Sequence, residues 1–217
     1  MDPIKQIEKK LGKETYRLSI YYDEDADSPR LNCDNAGKMI CWHSEYTLGD
    51  EQPKIGPTVW LYTMAECGNE NNDEELSDEQ LLARIKKKYI ILPLFLLDHS
   101  GLSMSVGSFN DPWDSGQVGF IYISKKDAIK EWGSNKFTKL VKKKATKYLI
   151  GEVETYDQYL RGNVYGYVVE KKKTCNLGHD HWEEVDSCWG FVGDDFKTNG
   201  ILDNSNPDMV KLFRRSL

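Results

Sequence analysis

Two continuous apolar runs, residues 90–97 (IILPLFLL, preceded by Tyr89) and 118–123, stand out against a chain that otherwise alternates. Runs of this length bounded by Gly, Pro and Asp predict strands buried on both faces. Between them, residues 102–109 alternate like a third strand, predicting a meander. Period-two alternation predicts further strands at 16–22, 38–43, 163–170 and 182–192. Steps of three and four predict helices. Residues 3–11 place Ile4, Ile7 and Leu11 on one face. Ser77 opens a second helix, with Gln80 completing a capping box and Leu82, Ile85 and Tyr89 as its buried stripe. Ser124 caps a third, over 125–132. The longest pattern covers 137–160 and stops at Gly162. Residues 58–65 fit either type. Residues 66–75 are acidic and Asn-rich and predict an exposed loop, and 208–215 predict a terminal helix. Hairpins mixed with helices, without internal repeats, predict an α+β fold. Its sheet is mixed or mainly antiparallel, packed with one long and several short helices in a single domain over residues 1–217.

Charge and composition narrow the class. The net charge is −6, with acids and lysines interleaved. Direct nucleic-acid binding is therefore not favoured, since no global basic excess supports it. No apolar run approaches the roughly 20 residues of a membrane span. The first residues, MDPIKQIEKKLGK, lack an apolar signal core. Five cysteines, an odd number without regular spacing, fit reduced thiols. A soluble cytoplasmic protein, with no membrane partner and no cofactor, is the expectation.

Candidate chemistry concentrates around the two apolar runs. Asp98-His99-Ser100 follows the first, and Trp113-Asp114-Ser115-Gly116-Gln117 precedes the second. His99 with Asp98 or Asp114 would form the acid–base pair of an enzyme. The competing reading is local: Asp98 and Ser100 bonded to their own turn. Trp113, with Ser100, Ser115 and Gln117, would offer an aromatic platform and hydrogen-bonding groups for a base. The polar segment carrying Arg30, Asp34 and Asn35, with His43 beyond it, is expected to complete one pocket with His99, its guanidinium aimed at a carboxylate or phosphate. Cys175, His179, His181 and Cys188 are weak zinc candidates, because C-x3-H-x-H-x6-C is irregular for a finger and Cys188 sits in an apolar strand; no metal is expected. The lysines from Lys136 to Lys147 form one concentrated basic patch, with Lys139, Lys142 and Lys143 on the face opposite the apolar stripe of the long helix, which most simply is solvated. Walker, GxGxxG, HExxH and GxSxG signatures are absent from the sequence.

Several longer runs carry a resemblance. SPR…DNAGKMICWH…YTLGD, LPLFLLDHSG, PWDSGQVGFIYISK, EVETYDQYLRGNVYGYVVE and DSCWGF together resemble a family of uncharacterised proteins of bacteriophages and mobile elements, over most of the chain from Tyr21 onward. The resemblance implies a genomic setting and no mechanism. In that setting a small accessory protein acting by binding is expected, its partner a host protein or host defence complex (an anti-CRISPR or other anti-defence role). Two alternatives stand beside it: a nucleotide-directed hydrolase using His99 with an Asp, and a nucleotide-binding sponge.

Overall fold

The computed structural model describes residues 2–67, 76–204, 213–214 and 216. Among the described residues the fold is α+β, with two four-stranded sheets whose neighbouring strands are all antiparallel, in the orders β1-β2-β7-β8 and β3-β6-β4-β5. The contacts divide the chain into two compact units, Met1–Ser28 with Gln158–Leu217, and Pro29–Asp157.

The first unit holds β1 (Lys5–Leu11), β2 (Glu14–Tyr22), β7 (Val164–Thr174) and β8 (Asp180–Val192). The helix expected at 3–11 is instead a strand. Ile4 and Leu11, two of its three supposed core residues, are exposed, and burial alternates along β1. Gly12, at φ +64°, opens a two-residue loop between the paired Leu11 and Glu14. Such a loop dictates a hairpin, and so short a helix has little stability of its own to oppose it. The core of this unit gathers Leu18, Ile20, Tyr165, Tyr167, Val169 and Phe191. A Cβ on Gly166 would lie 2.0 Å from the Trp189 ring. Glycine there lets the indole lie against the backbone of the neighbouring strand. The expected loop 66–75 and terminal helix 208–215 lie largely outside the described residues.

The second unit is built on β4 (Tyr89–Asp98) and β6 (Ser115–Ser124), paired over most of their length. β3 (Lys38–Cys41) flanks β6, and β5 (Leu102–Ser105) flanks the end of β4. The two apolar runs lie side by side, but β4 sits between β5 and β6, so the chain between the runs does not return as the expected meander: β5 pairs with Phe95–Asp98 on the edge of β4 away from β6. Pro93 sits just before a bulge at Leu94/Phe95, where a strand tolerates a residue without an N–H.

Helices cover this sheet. α1 (Pro29–Asn32) is a single short turn, and α2 (Pro57–Met64) resolves the ambiguous segment as helix. α3 (Asp78–Lys88) starts with the expected Ser77/Gln80 capping box. It buries Leu81 and Ile85, not Leu82. Both helices pack with Ile40, Ile91 and Phe120 of the sheet. α4 (Lys125–Glu131) is capped by Ser124. α5 (Lys139–Leu160) buries Val141, Ala145, Leu149, Val153 and Tyr156 at three- and four-residue steps, while Leu140 and Tyr148, apolar positions within the same 137–160 pattern, are exposed. A Cβ on Gly37 would meet both Leu149 and Ile121, so α5 packs against sheet residues that point away from α2 and α3. Covered sheet faces explain the near-continuous apolar reading of β4 and β6. α5 ends in a Schellman motif, Asn163 N–H to Gln158 O and Gly162 N–H to Tyr159 O, with Gly162 at φ +74°.

Candidate functional site

At one end of the second sheet, the strand register carries the chemistry of the two apolar runs into contact. Leu97 lies opposite Ser115, and Asp98 N–H donates to Asp114 O at 2.8 Å. Beyond that pair the β4–β5 hairpin turns through His99, Ser100 and Gly101. Ser100 adopts φ +54°, a left-handed conformation that a serine enters at a cost. His99 Nδ1 lies 2.6 Å from Asp114 Oδ2. This hydrogen bond, together with the carboxylate's charge, raises the His99 pKa above its ordinary value. Both side chains remain accessible, at 66% and 40%.

The turn bearing Asp114 is braced from within. Asp111 Oδ1 accepts the N–H groups of Trp113 and Asp114 at 2.9 and 3.0 Å, and the Ser115 hydroxyl donates to Asp111 O. The two backbone bonds hold the Asp111 carboxyl below the usual carboxylate range. This Asx-type arrangement presents Trp113 with 92% of its surface exposed. Asp98 faces Tyr46: the carboxylate's charge and its hydrogen bond with the phenol raise the Tyr46 pKa. The His43 ring stacks on Tyr46 at 4.9 Å, and its Nδ1 accepts the N–H groups of Glu45 and Tyr46, both at 3.2 Å. His43, Tyr46, Asp98, His99 and Asp114 therefore belong to one connected polar surface. Gln117 is exposed farther along β6, with its amide 3.4 Å from Gly119 O.

Arg30, Asp34 and Asn35 do not join this surface. The β3–β6 register pairs Lys38 with Tyr122, so the segment before β3 adjoins the opposite end of β6 from Ser115. Seven residues of strand, at about 3.3 Å each, separate the two ends by about 23 Å. The single pocket expected from sequence is two sites.

At the second site Arg30 is buried and fully engaged. Its Nε and Nη2 donate to the two carboxylate oxygens of Asp50 at 2.7 and 2.6 Å, its Nη1 to Glu152 at 2.6 Å and Asn35 at 2.9 Å, and its Nη2 also to Gly37 O at 2.8 Å. Burial opposes the charge, yet the bonds to Asp50 and Glu152 outweigh it and the Arg30 pKa is raised. A guanidinium has five N–H donors, and all five are engaged here. Arg30 thus organises the loop instead of offering a fork to a ligand. Glu152 Oε1 in turn accepts Ala36 N–H and Gly37 N–H at 2.8 and 3.0 Å. Beside this network lies a cavity of about 530 Å³, lined by residues of the 29–35 segment, by Trp132, and by Lys144, Lys147, Tyr148 and Gly151 of α5.

The cysteine–histidine group does not converge. Cys175 N–H bonds His179 O within the β7–β8 turn, and His181 pairs opposite Lys173, but Cys188 lies opposite Tyr167. The seven positions along β8 from His181 to Cys188 amount to about 23 Å. Among the described residues no three His, Cys, Asp or Glu side chains are placed to share a metal. Sequence reasoning passes over Tyr46, Asp111 and Trp132, and takes Lys144 and Lys147 only as members of the basic patch of residues 136–147. The two lysines form a second periodic stripe of α5, beside the one that carries Lys139, Lys142 and Lys143, and that spacing is the signal that sets them apart within the patch.

In comparisons with known proteins, no family model, no curated protein and no solved structure matches the chain.

Proposed function

We propose that this chain acts by binding a macromolecular partner through the Trp113–His99–Asp114 end of its second sheet. In the phage setting that its motifs imply, the partner is a host protein, most naturally a component of a defence system. The carrying observation is Trp113, almost wholly exposed on a turn that Asp111 braces. A bare indole costs solubility and contributes nothing to the core, whereas tryptophan is enriched among residues that dominate interface energetics. A braced turn also limits the entropy lost on docking. Around it, Asp98, Asp114 and the raised-pKa His99 supply charge that would fix register on a partner. The test is capture from bacterial lysate by tagged wild-type chain beside Trp113→Ala. A near-stoichiometric partner recovered by the first and lost by the second supports the reading; no such partner, or equal recovery by both, removes it.

The His99–Asp114 bond favours a second reading. A carboxylate on Nδ1 of an exposed imidazole is the arrangement of a general base with its orienting acid. As a nucleotide-directed hydrolase the chain would lose turnover on His99→Ala by about 10²–10⁴-fold. Unchanged turnover would exclude His99 from the chemistry.

A further inference from the structure

We infer that the cavity between the 29–35 segment and α5 binds a planar ring carrying a single phosphate, of the nucleoside monophosphate class. Its volume of about 530 Å³ falls within the range of about 300–1,000 Å³ that small-molecule sites occupy. The α5 wall is a stripe at three- and four-residue steps: Lys144, Lys147 and Tyr148, then Gly151. Lys144 and Lys147 are both exposed, and neither makes an ion pair among the described residues. Residues three apart on a helix are neighbours, so these two like charges repel one another until an anion sits between them. The neighbouring carboxylate of Glu152 does not fill that role, because Arg30 and two backbone N–H groups consume it.

Two aromatic rings also line the cavity. The Trp132 and Tyr148 rings meet edge to face, centroids 5.8 Å apart at 71°, and Tyr148 donates its hydroxyl to Asp34 O at 3.3 Å. A base has a π-face to offer either ring. Gly151 keeps the floor open: a Cβ added there meets nothing within 4 Å. The opposite wall is held rigid by the Arg30 network, and Asn35 Nδ2 further ties it through Pro29 O and Cys33 O at 2.9 and 3.0 Å. Asp34, at the loop edge, opposes additional negative charge, which selects one phosphate over three.

The experiment is calorimetric titration of the full chain with AMP, UMP, adenosine, inorganic phosphate and ATP. A monophosphate is expected to bind, with adenosine, phosphate and ATP each weaker by about tenfold or more. Lys144→Gln with Lys147→Gln should weaken the monophosphate by about tenfold and leave adenosine unchanged. Gly151→Leu should abolish binding of both. It places a side chain in open space and raises helix propensity, so retained far-UV circular dichroism verifies that folding is intact. Trp113→Ala should leave the titration unaltered, which separates this site from the docking reading. No heat from either monophosphate at millimolar concentration would overturn the inference. So would binding that survives Gly151→Leu or ignores both lysine substitutions.

Discussion

Replacing Arg30 by Met should destabilise the second unit heavily, and a further change of Glu152 to Gln should then restore part of the loss. The Arg30 side chain is 1% exposed, against 7% for Glu152 and 22% for Asp50. Methionine fills much of the volume but strands two carboxylates, one of them almost without water. Breaking a buried pair by removing one partner costs about 3–5 kcal/mol, and the lower half of that range applies here because Asp50 retains some solvent and the Met39 N–H at 2.7 Å. Glu152→Gln alone turns an amide donor or a weaker acceptor toward Arg30 Nη1 and should cost about 1–3 kcal/mol. In the Arg30→Met background the same change removes an unpaired charge while a carbonyl oxygen still accepts Ala36 and Gly37 N–H. The sign should therefore reverse, so the coupling energy in the double-mutant cycle should exceed in magnitude the cost of Glu152→Gln alone. Urea unfolding followed by far-UV circular dichroism, which reports mainly on α2, α3 and α5 of this unit, measures all four proteins. A loss below about 1 kcal/mol for Arg30→Met, or the same cost for Glu152→Gln in both backgrounds, would refute the view that Arg30 is the structural centre of this site.

The His99 pKa should be found above its ordinary value of about 6.5 by proton NMR, and Asp114→Asn should return it there. Because the folded value is raised, the stabilisation from this contact is complete below about pH 6.5 and is lost as pH rises through the folded pKa; a His99 titrating at the ordinary value in the wild type would contradict the contact. Gly119→Ala should cost about 1–3 kcal/mol or more, since its Cβ would lie 1.9 Å from Ile40 O. Gly116→Ala, in the same strand with nothing within 4 Å, should stay within about 0.5 kcal/mol. Equal thermal shifts for the two would mean that β3 does not lie against β6 as described.

What was legible in the sequence was local. The Ser77 capping box, the Ser124 cap and the Gly162 stop each act within a few residues, and each is found where expected. His99 and Asp114 were legible as neighbours because a short chain joins two strands that had to pair. Ile4, Ile7 and Leu11 misled because three residues fit a helical step by accident, while the Gly12 turn decides for a hairpin. Arg30 was misplaced for a different reason. Its partners Asp50 and Glu152 lie 20 and 122 residues away, and the β3–β6 register that sets its end of the sheet has no local signature. Likewise, α5 carries two periodic stripes, and only the packing of Leu149 at Gly37 determines which of them borders the cavity.

The most direct test of the binding account is the affinity of the captured partner, once purified, for the wild type, Trp113→Ala and Leu140→Ala. Leu140 is a fitting control, an exposed apolar residue on α5 at 62% accessibility. Neither substitution should move stability by more than about 0.5 kcal/mol. Trp113→Ala should weaken binding by about 2 kcal/mol or more, roughly thirtyfold in Kd, with Leu140→Ala near neutral. Affinities that agree within twofold across all three proteins would place the interface elsewhere and contradict the account.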